Sequence, residues 1–385
     1  SGARHNPNPS RLESTNRADI VLPMRTDRPT IAEQLGRAGY GSIALSANGW
    51  LHPDLGLTRG FSSVSHLPRD IDVTTQAESV ITAAGEEPLF LFLNYMGAHA
   101  PYTLAPDPST DAHIRAQLTG TDRAEWLEPY LMSQPLGLDL YRIPEGTEHS
   151  GFTSFMRGDL EIPEEGLALL RALYESEAWV LDQHLARVLT AWTQRYPDGV
   201  VIVTSDHGEF LGEYQLLEHG LMALPEVLQV PLIIAAPGRI QAKQRVTTPV
   251  QLHDIAGTIL ELAGIESPTP SLLPVIAGEP RAGAIQAAAW HHPTSAASMG
   301  GRFQHDWTWW REDEWALVQN SAGESQLYDL STDPDLSRDL ALVHPQLYQE
   351  MLERSREGWP LHTSDATLTV PDDVQEELRA LGYMH

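Results

Sequence analysis

Three short runs of the 385-residue chain, 89–93 (LFLFL), 200–204 (VVIVT) and 231–235 (PLIIA), are apolar almost without a break. A strand with one wet face alternates apolar and polar residues, whereas a run that is apolar on both sides of its pleat belongs in a sheet covered on both faces. Between the runs lie stretches of helical periodicity. The clearest is 165–192, where Leu167, Leu170, Tyr174, Leu181, Leu185, Val188 and Trp192 recur along one helix face. Buried strands alternating with helices predict an α/β fold, with a mixed, mostly parallel sheet between helices.

Local signals place further elements. Thr30 and Glu33 form a capping box for a helix over 31–38 that Gly39 stops, and a strand is expected over 42–47. Pro197, Asp198 and Gly199 end the long helix, and a helix over 252–263 stops at Gly264. Residues 103–162, rich in Pro, Gly and Asp, are expected as a long functional excursion. Beyond Pro268 the chain turns to short strands and turns, with Trp307, Trp309, Trp310 and Trp315 clustered as a packing layer between subdomains rather than a sugar platform, and a turn at Asp333-Pro334. The expected organisation is a main domain over 1–267 and a small α+β subdomain over 268–385. The subdomain is built on an antiparallel sheet and terminal helices, one of them amphipathic over 371–383.

Composition excludes several classes. Fifty-two acidic against twenty-five basic residues give a net charge of −27, and Lys243 is the only lysine. Phosphate binding needs a concentrated positive surface, so nucleic acid is not an expected partner. The charge is that expected of a salt-adapted, halophilic acidic protein, soluble where salt is concentrated and self-repelling where it is not. No run approaches a membrane-spanning length, so no membrane association is expected. The absence of cysteine rules out disulfides and thiolate ligands within these residues. No signal peptide is visible after Ser1, which carries the expectation of a cytoplasmic location and of a true start further upstream. Oligomeric state has no signature.

In an open α/β sheet, ligands bind beyond the carboxyl ends of the strands. The run ending at Thr204 leads into Ser205, Asp206, His207 and Gly208, and the run ending at Leu93 leads through Asn94 and Tyr95 to His99. Asp206 and His207 can ligate one divalent cation if the backbone turns sharply, which Gly208 permits. The same dipeptide also reads as an ordinary turn. His99 before Pro101 can serve a strand-end site or fix a turn, and His219, between Glu218 and Gly220, is on its residues alone a surface histidine. His291-His292 reads as a loop, and Glu312-Asp313-Glu314 as a solvated face.

Several stretches together resemble the sulfatase family of the alkaline phosphatase superfamily. They are PLFLFLNYMGAHAPY (88–102), LYESEAWVLDQHL (173–185), VVIVTSDHGEFLGE (200–213), EHG (218–220), VPLIIAAPG (230–238), QLYDLSTDPDLSRDL (326–340) and EELRALGY (376–383). The resemblance implies an alkaline-phosphatase-like fold and hydrolysis of a small-molecule or carbohydrate sulfate ester at one divalent cation, with a hydrated formylglycine attacking sulfur. By position, Asp206 and His207 resemble one pair of metal ligands. His99 resembles the histidine beside the leaving-group oxygen, and His219 a residue contacting the sulfate. Asn48 stands where a lysine is usual. Calcium is the implied cation. Histidine rather than asparagine at 207 softens the ligand set and keeps manganese or zinc, and phosphodiester or phosphonate substrates, in view.

The chain also departs from that pattern. The family's first strand, with an adjacent aspartate pair, has no counterpart upstream, and Pro7 occupies the nucleophile's place in Pro7-Asn-Pro9-Ser-Arg11. Ser1-Gly2 resembles the end of the nucleophile helix, which places the nucleophile a few positions earlier. The expectation is a sulfatase-like hydrolase whose nucleophile segment is not in this chain, leaving the chain itself nearly inactive. The alternative is a degenerate, non-catalytic binding protein.

Overall fold

Thr30 and Glu33 exchange the two hydrogen bonds of a capping box: the Thr30 amide donates to Glu33 Oε2 at 2.8 Å and the Glu33 amide to Thr30 Oγ1 at 3.0 Å. They start the helix Ile31–Arg37, and Gly39, with φ of 88°, turns the chain out of it into a strand. The computed structural model describes residues 20–21, 28–100, 102, 151–290, 303–358 and 368–369. The motif at 7–11, residues 103–150 of the excursion expected over 103–162, His291-His292 and the helix expected over 371–383 lie outside the described residues, while the end of that excursion contains a helix, Gly151–Arg157. Two compact units divide the chain. One comprises the described residues of Leu35–Gly199 and Glu209–Glu218, the other those of Ser1–Gln34, Val200–Gly208 and His219–Thr369.

In the first unit, β1 (Gly41–Ser46), β2 (Ser63–His66) and β3 (Leu89–Asn94) form a parallel sheet of order β2-β1-β3. Its register aligns Ser46 with His66 on one side and Asn94 on the other, so three polar residues end side by side at the carboxyl edge. The helices Asp70–Ala83 and Glu164–Arg195 pack together, and Leu45, Ala47, Val73, Ala77, Ile81 and Val188 form the core beneath them. Neither β2 nor the helix over 70–83 is signalled by the sequence. The strand SVSH is half polar, and the buried stripe of the helix runs through Val73, Thr74, Ala77 and Ile81, where only isoleucine is large. Arg187 also spans the two helices, its guanidinium 3.1 and 2.6 Å from the Glu78 carboxylate. Both side chains are substantially exposed, so this pair adds little stability.

In the second unit, β4 (Val201–Thr204) pairs antiparallel with β5 (Leu232–Ala235), with Thr204 opposite Leu232. An antiparallel sheet follows, of order β9-β8-β7-β6, made of β6 (Ile285–Ala289), β7 (Trp307–Glu312), β8 (Trp315–Asn320) and β9 (Ser325–Asp329). The helix Pro345–Gly358 covers one face, burying Trp310, Leu317, Leu327, Met351 and Leu352 together. Trp309 and Trp310 are buried, but Trp310 packs within this sheet and its helix, where the expectation was a layer between subdomains. Glu312 is not simply solvated, however. It accepts from Trp310 Nε1 at 2.8 Å and from Arg354 at 2.9 and 2.7 Å, so the strand uses it to hold the helix.

The apolar runs are strands, but the expectation that they are buried on both faces does not hold. β3 lies at a sheet edge, and β4 has one partner among the described residues. Phe92 is 37% exposed and Ile233 61%. Their composition is that of central strands, while their place in each described sheet is at an edge.

Candidate active site

Every group in the turn after β4 is held from the backbone. Thr204 Oγ1 donates to the Pro231 carbonyl at 2.9 Å, tying the end of β4 to the start of β5. Ser205 Oγ donates to the His207 carbonyl at 2.6 Å, and the His207 amide donates to Asp206 Oδ1 at 3.1 Å. The Gly208 amide donates to the Val227 carbonyl at 2.9 Å. Glycine is needed here for a reason other than the turn freedom expected of it: Gly208 is not among the positive-φ residues, but a Cβ there would stand 2.1 Å from the Glu226 carbonyl oxygen.

This scaffold orients the imidazole. His207 Nδ1 lies 2.9 Å from the Gly208 carbonyl, an acceptor, which places the proton on Nδ1 and the lone pair on Nε2. Nε2 is 3.7 Å from Asp206 Oδ1, a separation that two ligands of one cation can share, since each metal–ligand bond is about 2.0–2.4 Å long. The donor set, one exposed carboxylate and one imidazole nitrogen, suits a hard or borderline divalent cation. His219 stacks on His207 with ring centroids 3.7 Å apart and planes 25° from parallel. The chain bends on both sides of His219, with φ of 63° at Glu218 and 80° at Gly220. A left-handed glutamate is uncommon and marks a backbone held where its surroundings need it.

The first unit carries the other two expected residues. Asn48 follows β1 and caps a short helical turn over Gly49–Leu51: its Oδ1 accepts from the Trp50 amide at 2.9 Å, and its own amide donates to Ser46 Oγ at 2.9 Å. Ser46 Oγ donates in turn to Asn94 Oδ1 at 2.9 Å. His99 sits in the turn after β3, where its amide donates to the Met96 carbonyl at 2.9 Å and its Nδ1 donates to the Ala100 carbonyl. That turn hangs on Asp70, whose Oδ1 accepts from the Met96 amide at 2.9 Å. Burial pushes the Asp70 carboxyl up, against the lowering effect of the Met96 and Gly97 amides. Three residues beyond His99, the buried Tyr102 donates to Glu209 Oε2 at 2.9 Å. Tyr102 also meets Tyr174 edge-on at 5.5 Å.

Asp206, His207 and His219 are thus brought together in one unit, and Asn48 and His99 share the carboxyl end of the sheet in the other. His66, Asp70 and Glu209 are polar residues of this region that sequence reasoning missed. His66 was visible in principle, as the last residue of a strand, but only once SVSH is recognised as one.

The sulfatase family model matches residues 8–265, and the C-terminal model of N-sulphoglucosamine sulphohydrolase matches 212–355. Arylsulfatase K of Bos taurus is 28% identical over 285 residues, covering 69% of this chain and 50% of that protein. The chain spans about half the length of the curated relatives it matches. Among solved structures, BT4656 in complex with its substrate D-glucosamine-2-N,6-O-disulfate aligns with a TM-score of 0.62 and 17% identity, over 87% of this chain and 82% of that one. The phosphonate monoester hydrolase of Agrobacterium radiobacter aligns with a TM-score of 0.62 and 16% identity, over 91% and 85%. At these identities the likeness shows the fold, an alkaline-phosphatase-like mixed α/β architecture with a C-terminal antiparallel sheet. With the sulfatase model matched across most of the chain, and the turn at 205–208 built at a strand end as described, the chain belongs to the sulfatase family.

Proposed function

We propose that the protein to which this chain belongs hydrolyses sulfate monoesters at a single divalent cation held in part by Asp206 and His207. The observation that carries this reading is His207 Nε2 at 3.7 Å from Asp206 Oδ1, with His219 stacked on the same ring. A bound cation would polarise the ester oxygens and offset the charge they gather in the transition state. By the resemblance, His219 would donate to a sulfate oxygen. By the resemblance, His99, its ring fixed through Nδ1, would give a proton from Nε2 to the ester oxygen as the bond to sulfur breaks, and Asn48 would offer its side-chain NH2 to the substrate. Calcium is the first choice of cation, and histidine at 207 keeps manganese or zinc in view. The family's formylglycine nucleophile and first aspartate pair are expected from a segment outside these 385 residues. The substrate class is a sulfated sugar or small sulfate ester, as with the neighbour solved on glucosamine disulfate.

The likeness to a phosphonate monoester hydrolase supports a second reading, cleavage of phosphodiesters or phosphonates. Turnover of an aryl sulfate against an aryl phosphodiester by the complete protein separates the two. The expected result is a kcat/KM for the sulfate at least about tenfold higher, about 1.4 kcal/mol in transition-state binding. A preference for the diester overturns the sulfatase reading.

Salt adaptation is proposed on charge alone. With a net charge of −27, the unfolding temperature is expected to rise by roughly 10 °C from low salt to molar KCl as self-repulsion is screened. A flat thermal melt across that range removes the proposal.

A further inference from the structure

The turn that carries His99 is held by a carboxylate from another element of the first unit. Within the turn one backbone bond closes the loop, from the His99 amide to the Met96 carbonyl at 2.9 Å. Further support comes from Asp70, the first residue of the helix Asp70–Ala83. Its Oδ1 accepts from the Met96 amide at 2.9 Å, and the Gly97 amide donates to the same carboxylate. Oδ2 stands so close that a Cβ at residue 97 would lie 2.6 Å from it, so this glycine leaves room for the acid.

An aspartate in the first turn ordinarily serves its own helix, staying in water and favouring the helix dipole. Asp72, two residues on, behaves in that way: at the surface its two oxygens pair with Arg69, each at 2.8 Å. Asp70 is instead partly buried. Burial pushes its carboxyl up, while the two amides and His184 on the long helix pull it down. The residue itself is braced. Thr74, fully buried, donates from Oγ1 to the Asp70 carbonyl at 3.0 Å, and that Oγ1 lies 3.3 Å from the Tyr95 hydroxyl. A carboxylate drawn out of water, with two donors of one turn aimed at it, is suited to fixing that turn.

We infer that Asp70 is a positioning residue for His99: its carboxylate holds Met96 and Gly97, and through them sets the imidazole against the leaving oxygen of the ester. The inference rests on the sulfatase reading for the role of His99 and adds the group that puts His99 in place. Proton donation to a leaving oxygen matters most when the departing group is a poor one, so misplacement of His99 weighs most on such substrates.

The test compares kcat and KM of the complete protein for para-nitrophenyl sulfate, whose phenolate leaves readily, and phenyl sulfate, whose phenolate does not. Asp70→Asn keeps the size and one acceptor but gives an NH2 in place of the second. It should lower kcat for phenyl sulfate about tenfold and for para-nitrophenyl sulfate less than about threefold, with KM within about twofold for both. Gly97→Ala, which presses on the carboxylate from the other side, should give the same pattern, and it carries the test alone if Asp70→Asn does not fold. Asp72→Asn should show none of it. In a His99→Ala background Asp70→Asn should cost less than about twofold, because the group it places is gone. Unchanged kinetics, equal losses on the two esters, or a full tenfold loss without His99 overturns the inference.

A second readout needs no turnover: the ring nitrogen resonances of His99 in the full chain with isotope-labelled histidine, identified by their loss in His99→Ala. Asp70→Asn should shift or broaden them, and unmoved His99 resonances overturn the inference. Displaced His99 resonances in a complete protein without sulfatase turnover strike the sulfatase reading and leave the positioning standing. Normal turnover that Asp70→Asn leaves unchanged strikes the positioning and leaves the sulfatase reading.

Discussion

Gly208→Ala is expected to destabilise the protein by about 3 kcal/mol, the upper part of the range for overpacking a closed site. The added Cβ would stand 2.1 Å from the Glu226 carbonyl oxygen and 3.2 Å from its carbon, and both obstacles are backbone. No side-chain rotation relieves that contact, so the 205–208 turn or the chain at 226–227 must move. Either movement breaks the bond from the Gly208 amide to the Val227 carbonyl and shifts the carbonyl that fixes the His207 ring. The fall in urea midpoint should therefore come with loss of divalent-cation binding. Gly220→Ala is a useful contrast, because a Cβ there meets nothing within 4 Å and only the positive φ of 80° is strained. It should cost about 1 kcal/mol. Equal stability of Gly208→Ala and the parent protein would mean that the turn is not packed as described.

Arg281→Ala is expected to cost about 3–5 kcal/mol, the penalty for leaving one partner of a buried ion pair alone. The Asp254 side chain is 2% exposed and accepts from Arg281 Nε at 2.9 Å and Nη2 at 3.3 Å, with His253 Nε2 at 3.0 Å. Burial by itself pushes this carboxyl up, but the hydrogen bonds from His253 and Arg281 outweigh it and hold the carboxyl below its ordinary range. The sign of the pH effect follows. A carboxyl with a depressed folded pKa binds fewer protons when folded, so its stabilisation is complete above the ordinary value of about 4 and is lost as pH falls through the folded value. In Arg281→Ala most of that acid-range loss should disappear, because little stabilisation remains to be withdrawn. Arg281→Met/Asp254→Leu, which removes both charges, should recover much of the stability. If the single variant melts with the parent protein, the buried pair is not what holds the start of the helix Asp254–Leu262.

The sequence carried much of this and missed the rest for identifiable reasons. Apolar runs marked β3, β4 and β5 because burial of strands leaves a compositional trace, and the capping box at Thr30 and Glu33 formed as its spacing requires. Asp206, His207 and His99 are legible as candidates because strand ends in α/β sheets face ligands, whereas His219 is a candidate only through the family resemblance. Which edge of its sheet a strand occupies was not legible, since composition reports what a strand is suited to and not which partners flank it. Among the described strands, β3 and β4 accordingly sit at edges with interior sequences. Gly208 was rightly singled out, but for backbone freedom, when the cause is a carbonyl from the chain at 226. Contacts between residues distant in sequence leave no local pattern. Asp254 with Arg281, Glu312 with Arg354 and Asp70 with Met96 were invisible for that reason.

Anomalous diffraction at the manganese edge, from crystals of the complete protein soaked in Mn²⁺, tests the central claim most directly. The account predicts a peak about 2.2 Å from a carboxylate oxygen of Asp206 and from Nε2 of His207, and its loss in Asp206→Ala. Manganese bound elsewhere with no peak at that turn, or a peak that survives Asp206→Ala unchanged, would contradict it.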